Sequence, residues 1–171
     1  TRLECDLLSG HLIAELLGAP LPKDFEPIYR ERTFAALEAE LKPVAGIEAV
    51  LGQISIPYCI ASNGPHLKMR KTLGITSLLP RFEGRMFSSA DVPRGKPSPD
   101  LFLFAARHFG ASPSACLVVE DSATGVAAAL AAGMRVYGFA ESTPGEKLKA
   151  AGAHRVFRKM SELPALVAGR Q

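Results

Sequence analysis

The spacing of hydrophobic and polar positions changes at Pro43, and this change divides the chain into two predicted parts. Over residues 1–42 hydrophobic side chains recur every three or four positions, which predicts two amphipathic helices, the second over residues 24–42. Beyond Pro43 short hydrophobic runs alternate with helical segments, as in βαβ units. We therefore expect a helical part over residues 1–42 and an α/β part over residues 43–171.

The α/β part is expected to form a Rossmann-like, doubly wound parallel sheet, because its strands alternate with helices. Its hydrophobic runs predict strands at residues 54–61, 85–88, 116–119, 135–139 and 155–157. Turn and capping residues between these runs predict helices at residues 46–52, 65–73, 98–109, 122–132, 144–151 and 161–168. Two cap predictions are specific: Gly74 ends the second of these helices, and Ser98 begins the third with Pro99 at its first position.

Residues 116–133 are the most informative stretch, since two acids follow directly on a hydrophobic run. The run at residues 116–119 predicts a strand that is buried on both faces of a parallel sheet. The alanine-rich segment after it predicts a helix without bulky side chains that packs close to the sheet and ends at Gly133. Glu120 and Asp121 would then lie at the carboxyl end of a strand, where open α/β sheets bind ligands.

Two further groups of polar residues follow predicted strands. Ser62, Asn63 and Gly64 offer a hydroxyl and turn amides that suit an anion such as phosphate, and ordinary helix capping explains them equally well. Lys96 precedes the helix that is expected to begin at Ser98, and taken by itself it is more simply a surface charge.

The acids at the end of the predicted strand, Glu120 and Asp121, are costly to bury unless they bind a cation. Hard oxygen ligands without a neighbouring His or Cys cluster favour Mg²⁺ over zinc. The alternative is an N-cap acid with an ion-paired neighbour. A hydroxyl, a lysine and two carboxylates in this chain order together indicate phosphoryl transfer, in which positioning and charge stabilisation supply most of the catalysis.

Composition and charge exclude several other classes. The chain has 171 residues, 47% hydrophobic and 22% charged, which suits one globular domain with a small appendage. A net charge of +3 does not indicate nucleic acid or membrane binding, and no hydrophobic run is long enough to span a bilayer. No GxGxxG follows a predicted strand, which argues against a dehydrogenase-type nucleotide site.

The N-terminus and the cysteines favour a reducing compartment. The first residues are charged and lack the hydrophobic core of a signal peptide. Cys5, Cys59 and Cys116 are unclustered, and the latter two lie in hydrophobic runs where buried thiols are expected. We therefore expect a cytoplasmic protein.

With these residues identified, the sequence resembles the haloacid dehalogenase-like superfamily of aspartate-nucleophile phosphotransferases. The resemblance rests on Ile-Ala-Ser-Asn-Gly-Pro at residues 60–65, Gly-Lys-Pro-Ser-Pro-Asp at residues 95–100 and Val-Glu-Asp-Ser at residues 119–122. These segments look like the second, third and fourth motifs of the superfamily and occur in its order. The chain is most similar to the helical-cap subgroup, which includes 6-phosphogluconate phosphatase-like and β-phosphoglucomutase-like proteins.

This resemblance implies a role for each motif. Ser62, with Asn63 and Gly64, would bind the transferring phosphate of a small phosphorylated metabolite. Lys96 would neutralise that phosphate and orient the nucleophile. Residues 1–42 would form part of a helical cap that closes over the site and selects the substrate.

The resemblance also implies a metal and a nucleophile. Asp121 would ligate Mg²⁺ directly, and Glu120 would do so directly or through water. The first motif of the superfamily, Asp-x-Asp on the central strand of the sheet, does not occur in this sequence, and residues 5–8 are no substitute because they contain one acid and follow no strand. The expectation is therefore that the first strand, with the nucleophilic and acid–base aspartates, lies upstream of Thr1 and that the chain by itself is inactive.

The function that follows is a phosphatase of the sugar phosphate or phosphogluconate type that works through an aspartyl-phosphate. A phosphosugar mutase of the same fold is the first alternative. A non-catalytic module that keeps the phosphate and Mg²⁺ sites is the second. We expect a monomer or weak dimer that binds neither nucleic acid nor membranes.

Overall fold

The computed structural model describes residue 15 and residues 17–169, and in this part five short strands alternate with helices. The strands are β1 (Ile60–Ser62), β2 (Met86–Ser88), β3 (Leu117–Glu120), β4 (Arg135–Phe139) and β5 (Arg155–Phe157). The α-helices are α1 (Phe25–Glu40), α2 (Ile47–Gln53), α3 (His66–Ile75), α4 (Leu79–Phe82), α5 (Asp100–His108), α6 (Ala123–Ala131), α7 (Gly145–Ala150) and α8 (Leu163–Ala168). Short 3-10 turns lie at Ser89–Asp91, Pro113–Ala115 and Met160–Glu162.

Every strand pair in the described residues is parallel, which confirms the α/β class predicted from the alternation of strands and helices. β1 and β2 form a two-stranded sheet in which Ala61 lies opposite Phe87. β3, β4 and β5 form a three-stranded sheet in which Val118 lies opposite Val136. Within the described residues β1 and β3 each have one neighbouring strand, so each is an edge of its sheet.

Helices cover both faces of the larger sheet, as a doubly wound arrangement requires. On one face Val136 of β4 packs in a cluster with Val126 of α6 and Leu148 of α7. On the other face Tyr137 packs in a cluster with Val50 of α2. Because consecutive residues of a strand point to opposite faces, one strand contributes to both layers of the core.

The smaller sheet is also covered on two sides and shares its interior with the larger sheet. Phe87 of β2 packs in a cluster with Leu101 of α5. Met86, the residue before it, packs against a cluster that contains Leu73 of α3. Ala61 of β1 contacts both the cluster around Phe87 and the cluster that includes β3, so the core runs from one sheet to the other.

The alanine-rich helix α6 packs as closely to the sheet as its small side chains predicted. Val126, Ala128 and Ala129 are fully buried in the cluster beneath β4. Gly133 follows the helix with a φ of 71°, a conformation in which a side chain is strained, so its prediction as the end of the helix is confirmed.

Helix α1 agrees with the helix predicted over residues 24–42. Its buried residue is Leu37, and the helix contacts α3. Lys71 of α3 forms an ion pair with Glu38 and lies 6.0 Å from the centre of the Phe34 ring. Of the helix predicted before it, Glu15 and Leu17 have helical backbone, and its other residues lie outside the described part of the chain.

The strand predicted at residues 54–61 is wrong over its first six residues. β1 begins at Ile60, and the segment before it has no strand partner in the described part of the chain. The N–H of Ile54 instead donates to the carbonyl oxygen of Val50 and ends helix α2. Pro57 has no N–H with which to join a strand ladder, so the chain meets its neighbour only after it.

Both specific cap predictions are wrong. Helix α3 continues through Gly74 to Ile75, and the chain turns at Ser77, which has a φ of 60°. Ser98 does not cap α5, because the helix begins at Asp100, after Pro99, and no side chain caps its first turn. The Ser98 hydroxyl donates to Asp100 Oδ1 at 2.7 Å.

The predicted burial of β3 and of the cysteines is also wrong in part. Val118 is buried, but Val119 is 37% exposed, because β3 is an edge strand among the described residues. Cys59 and Cys116 are half-buried. Over residues 17–169 no helix combines the length and the hydrophobicity that crossing a membrane would need.

Candidate functional site

Loops that follow β1, β2 and β3 meet at the carboxyl ends of the strands and are joined by hydrogen bonds. The Ser89 hydroxyl donates to the carbonyl oxygen of Asn63 at 2.7 Å. The Asn63 side chain bonds the backbone of Lys96, and the Lys96 ammonium group bonds Glu120. The structure therefore brings the three groups selected from the sequence to one edge of the two sheets.

The loop after β1 is held by hydroxyl groups on both sides. Ser62 Oγ accepts the N–H of Gly64 at 3.0 Å, which closes a tight turn directly after the strand. Ser88, at the end of β2, is fully buried and donates its hydroxyl to the carbonyl oxygen of Gly64 at 2.9 Å. This bond and the Ser89 bond fix the backbone of the loop against the neighbouring strand.

The loop that carries Lys96 is held at its ends and in its middle. Its ends are joined because Asp100 accepts two hydrogen bonds from the Arg94 guanidinium group, each 3.1 Å long. Asp100 also accepts one from Ser98. The Arg94 guanidinium, with the Ser98 hydroxyl, lowers the pKa of the Asp100 carboxyl below its usual value. In the middle of the loop, the Asn63 side chain forms hydrogen bonds with the backbone of Lys96. The peptide bond between Lys96 and Pro97 is cis.

The Lys96 side chain lies between a carboxylate and an aromatic ring. Its Nζ forms an ion pair with Glu120 Oε1 and lies 5.3 Å from the centre of the Phe102 ring. The side chains of Lys96 and Glu120 are 12% and 7% exposed, so the pair is largely shielded from solvent. Its attraction is therefore screened much less than that of a surface ion pair.

The first turn of α6 supports the same carboxylate. Ser122 donates its hydroxyl to Glu120 Oε2 at 3.0 Å and accepts the N–H of Gly125 at 3.0 Å, so it caps the helix. A Cβ atom on Gly125 would lie 2.0 Å from the Cδ of Glu120. The carboxylate thus occupies space that only a glycine leaves free.

Of the two acids at this edge of the sheet, Asp121 is exposed and Glu120 is buried. Asp121 is exposed at the carboxyl end of β3, while each oxygen of Glu120 accepts a hydrogen bond from Lys96 or Ser122. Over residues 17–169 no three His, Cys, Asp or Glu side chains are close enough together to hold a metal ion. The described residues therefore fit Mg²⁺ only in part, with the carboxylates of Asp121 and Glu120 as the candidate ligands.

The carboxylate of Asp91 closes the turn after β2. Asp91 accepts the N–H of Ser88 at 2.8 Å, and both of its oxygens lie 2.9 Å from His66 Nε2. The backbone hydrogen bond from Ser88, with the contact to His66, lowers the pKa of the Asp91 carboxyl below its usual value. This pair joins the turn after β2 to the first residue of α3, which follows the β1 loop.

Comparison with known proteins agrees with this geometry. Residues 6–133 match the family model described as haloacid dehalogenase-like hydrolase. The chain belongs to that family. The resemblance noted from residues 60–65, 95–100 and 119–122 is thereby confirmed.

Individual members of the haloacid dehalogenase-like hydrolases show how far the similarity extends. The chain is 33% identical to 6-phosphogluconate phosphatase of Escherichia coli over 150 residues, which is 87% of this chain and 67% of that protein. It is 39% identical to β-phosphoglucomutase of Bacillus subtilis over 72 residues, which is 42% of this chain and 30% of that protein. A hydrolase of Deinococcus radiodurans, solved with bound phosphate and sodium, is 30% identical with a TM-score of 0.78, over 94% of this chain and 73% of that chain.

Several residues of this haloacid dehalogenase-like site were not selected from the sequence. Ser88 and Ser89 hold the loop after β1, and their signal is a pair of hydroxyl residues at the end of the strand predicted over residues 85–88. Ser122 stands before a small-residue helix, where an N-cap is expected. Gly95 carries no local signal, because the need for a glycine there comes from Asn63 across the loop.

Proposed function

We propose that this chain forms the phosphate-binding and metal-binding part of a Mg²⁺-dependent phosphatase for small phosphorylated metabolites, of the sugar phosphate or phosphogluconate type. The observation that carries the proposal is the position of Lys96. Its ammonium group lies largely out of solvent at the carboxyl ends of parallel strands, between the Ser62 loop and the carboxylates after β3. Ligands of open α/β sheets bind at this edge.

In the proposal, the described residues supply part of what phosphoryl transfer needs from a protein. In the proposal, the Ser62 hydroxyl and the main-chain amide of Asn63 hold the phosphate, and Lys96 exchanges its contact with Glu120 for the phosphate oxygens. Transfer of a phosphoryl group depends mainly on positioning and on neutralising charge that spreads over its oxygens. The similarity to 6-phosphogluconate phosphatase of E. coli and to a Deinococcus hydrolase solved with bound phosphate supports this assignment.

Magnesium enters the proposal through Asp121, whose exposed carboxylate is a hard oxygen ligand. Glu120 would join it directly or through water, since each of its oxygens accepts one hydrogen bond and keeps a further lone pair. When bound, the ion would neutralise phosphate charge and orient the reacting groups. The remaining ligands would come from residues outside those described.

The nucleophile is the part of the proposal that this sequence does not supply. An aspartyl-phosphate mechanism needs an aspartate beside the phosphate, and no Asp-x-Asp occurs in the chain. We place that aspartate upstream of Thr1. The edge positions of β1 and β3 support this placement, because among the described residues each has one side that no strand covers. In the proposal the chain alone therefore binds phosphate without turning over substrate.

A phosphosugar mutase is the second candidate, favoured by the similarity to β-phosphoglucomutase of B. subtilis. The two reactions share the phosphate and metal groups and differ in the fate of the phosphoryl group. Incubation with a sugar monophosphate distinguishes them, since a phosphatase releases inorganic phosphate and a mutase moves the phosphate on the sugar.

The test begins with binding. Titration calorimetry of the chain with inorganic phosphate, in Mg²⁺ and in EDTA, should show binding that is tighter in Mg²⁺. Asp121→Asn should remove the Mg²⁺ dependence, whereas Asp24→Asn, at the start of α1, should keep it. Equal phosphate affinity in Mg²⁺ and EDTA would remove Asp121 from a metal site.

Turnover is then measured as phosphate release from a panel of sugar phosphates. The chain alone should release none, and a protein that adds an upstream strand with Asp-x-Asp should release phosphate in the presence of Mg²⁺. Mg²⁺-dependent release by the 171-residue chain would refute the placement of the nucleophile and would still support a phosphatase.

A further inference from the structure

The side chain of Asn63 forms a pair of hydrogen bonds with one residue 33 positions further along the chain. Its Oδ1 accepts the backbone N–H of Lys96 at 2.8 Å, and its Nδ2 donates to the carbonyl oxygen of Lys96 at 3.0 Å. The terminal oxygen and nitrogen of the side-chain amide are therefore both engaged with the same backbone segment.

This arrangement adds a role for the Asn63 side chain. The sequence indicated only that the turn amides after Ser62 suit a phosphate. The Asn63 side chain faces the neighbouring loop, and its main-chain N–H remains the group that binds phosphate in our proposal. Its carbonyl oxygen is held by the Ser89 hydroxyl, so the residue is fixed on the β2 side while it bonds Lys96.

The approach of the two loops is as close as a glycine allows. A Cβ atom on Gly95 would lie 2.7 Å from Asn63 Oδ1 and 3.0 Å from the Cβ of Ser89. Both distances are shorter than ordinary contacts between heavy atoms, so the loop that carries Lys96 sits against Asn63 without room for a methyl group.

We infer that Asn63 is a positioning residue, which fixes the backbone of Lys96 so that its ammonium group points to the phosphate position. This inference rests on the proposed function. The lysine side chain has a flexible four-carbon stem, so the position of Nζ depends on where the backbone directs that stem. Bonds to both the N–H and the carbonyl oxygen of Lys96 orient the backbone on both sides of its Cα atom.

A double-mutant cycle tests whether Asn63 acts through Lys96. The readout is the dissociation constant of inorganic phosphate, measured by calorimetry for wild type, Asn63→Ala, Lys96→Ala and the double variant. Asn63→Ala should weaken phosphate binding about tenfold, the factor expected for losing two hydrogen bonds. In the Lys96→Ala background the same substitution should have no further effect.

A second readout follows the backbone and does not depend on a ligand. Hydrogen exchange of the Lys96 amide should become about tenfold faster in Asn63→Ala, because its acceptor is gone. Asn63→Asp keeps an acceptor for that N–H and should retain most of the protection. Gly95→Ala keeps the Asn63 side chain but adds a methyl group that should push the two loops apart. It should therefore weaken phosphate binding and speed exchange of the Lys96 amide, as Asn63→Ala does.

Ser114→Ala is the matched control. It removes a hydroxyl that lies 3.3 Å from Ser112 Oγ, in the turn before β3 and therefore at the opposite end of that strand. It should change neither phosphate affinity nor exchange at Lys96.

The possible outcomes separate the positioning role from the function itself. Additive effects of Asn63→Ala and Lys96→Ala would mean that Asn63 contacts phosphate directly, and unchanged exchange at Lys96 would mean that it does not hold the backbone; either result overturns the inference. If wild type binds no phosphate, or if Lys96→Ala alone changes nothing, the proposed function fails for this chain and the inference fails with it.

Discussion

The ammonium group of Lys96 forms an ion pair with the carboxylate of Glu120, and this contact joins the loop after β2 to the end of β3. Only 12% and 7% of the two side chains are exposed. Removing one partner would leave the other charge partly buried without compensation, so the pair matters for stability as well as for phosphate binding.

Lys96→Met is expected to lower the free energy of unfolding by about 1–3 kcal/mol, because Glu120 loses a charged hydrogen-bond donor. Adding Glu120→Gln should recover part of this loss. Lys71→Met is the matched control, since Lys71 pairs with Glu38 where the side chains are 41% and 54% exposed. It should cost less than about 1 kcal/mol. Urea denaturation measures all four proteins, and equal costs for the two lysines would contradict the buried character of the first pair.

Gly125→Ala is expected to destabilise the fold by about 1–3 kcal/mol, because the new methyl group would overlap the Glu120 carboxylate. A Cβ at this position would lie between 2.0 and 2.3 Å from three atoms of that carboxylate. Gly52→Ala provides the comparison, because a Cβ atom on Gly52, in helix α2, would meet nothing within 4 Å. This control should stabilise by about 0.4–1 kcal/mol, as glycine costs entropy in a helix. Thermal unfolding of both variants measures the difference, and a stable Gly125→Ala protein would show that Glu120 moves freely.

Asp91 is expected to contribute to the loss of folding stability at acid pH. Its pKa in the folded chain lies below the usual value of an aspartate, because the carboxylate accepts the Ser88 N–H and contacts His66. A carboxyl whose pKa is lowered by folding stabilises the native state above its unfolded pKa and loses this contribution as the pH falls through the folded value. Asp91→Asn should therefore reduce stability at neutral pH and flatten its decline below about pH 4.

Urea midpoints measured from neutral to acid pH test this prediction. Asp24→Asn is the control, because the Asp24 side chain makes no capping hydrogen bond at the start of α1. It should leave the acid limb of the curve unchanged. If the urea midpoint of Asp91→Asn fell below pH 4 as steeply as that of the wild type, Asp91 would not be the source of the pH dependence.

Cys59 is expected to react slowly with alkylating reagents. Burial, with the nearby Cys116, raises the pKa of its thiol to about 11, so about one molecule in a thousand carries the reactive thiolate at pH 8. Alkylation of Cys59 by iodoacetamide at pH 8 should be about a hundredfold slower in the native chain than in urea. Mass spectrometry of the peptide that contains Cys59 gives both rates, and similar rates would show that the thiol is not shielded.

Much of the fold was predictable because it depends on local patterns. Strand residues 135–139 and 155–157 were predicted with the bounds that the structure shows, since short hydrophobic runs between turn residues are a local signal. Burial of Ala128 and Ala129 in α6 followed from the lack of bulk in that segment. The errors at residues 54–59 and at Gly74 arose where a proline excludes a strand and where a helix continues past a glycine.

The site divides along the same line. The sequence by itself selected Ser62, Lys96 and the two acids as candidate site residues, because each comes after a predicted strand. Only the tertiary structure decided how they are used. The Asn63 amide bonds a backbone 33 positions away, and the Lys96 ammonium group bonds a carboxylate 24 positions away. These partners are brought together by the order of strands in the sheets, which no local pattern of residues specifies.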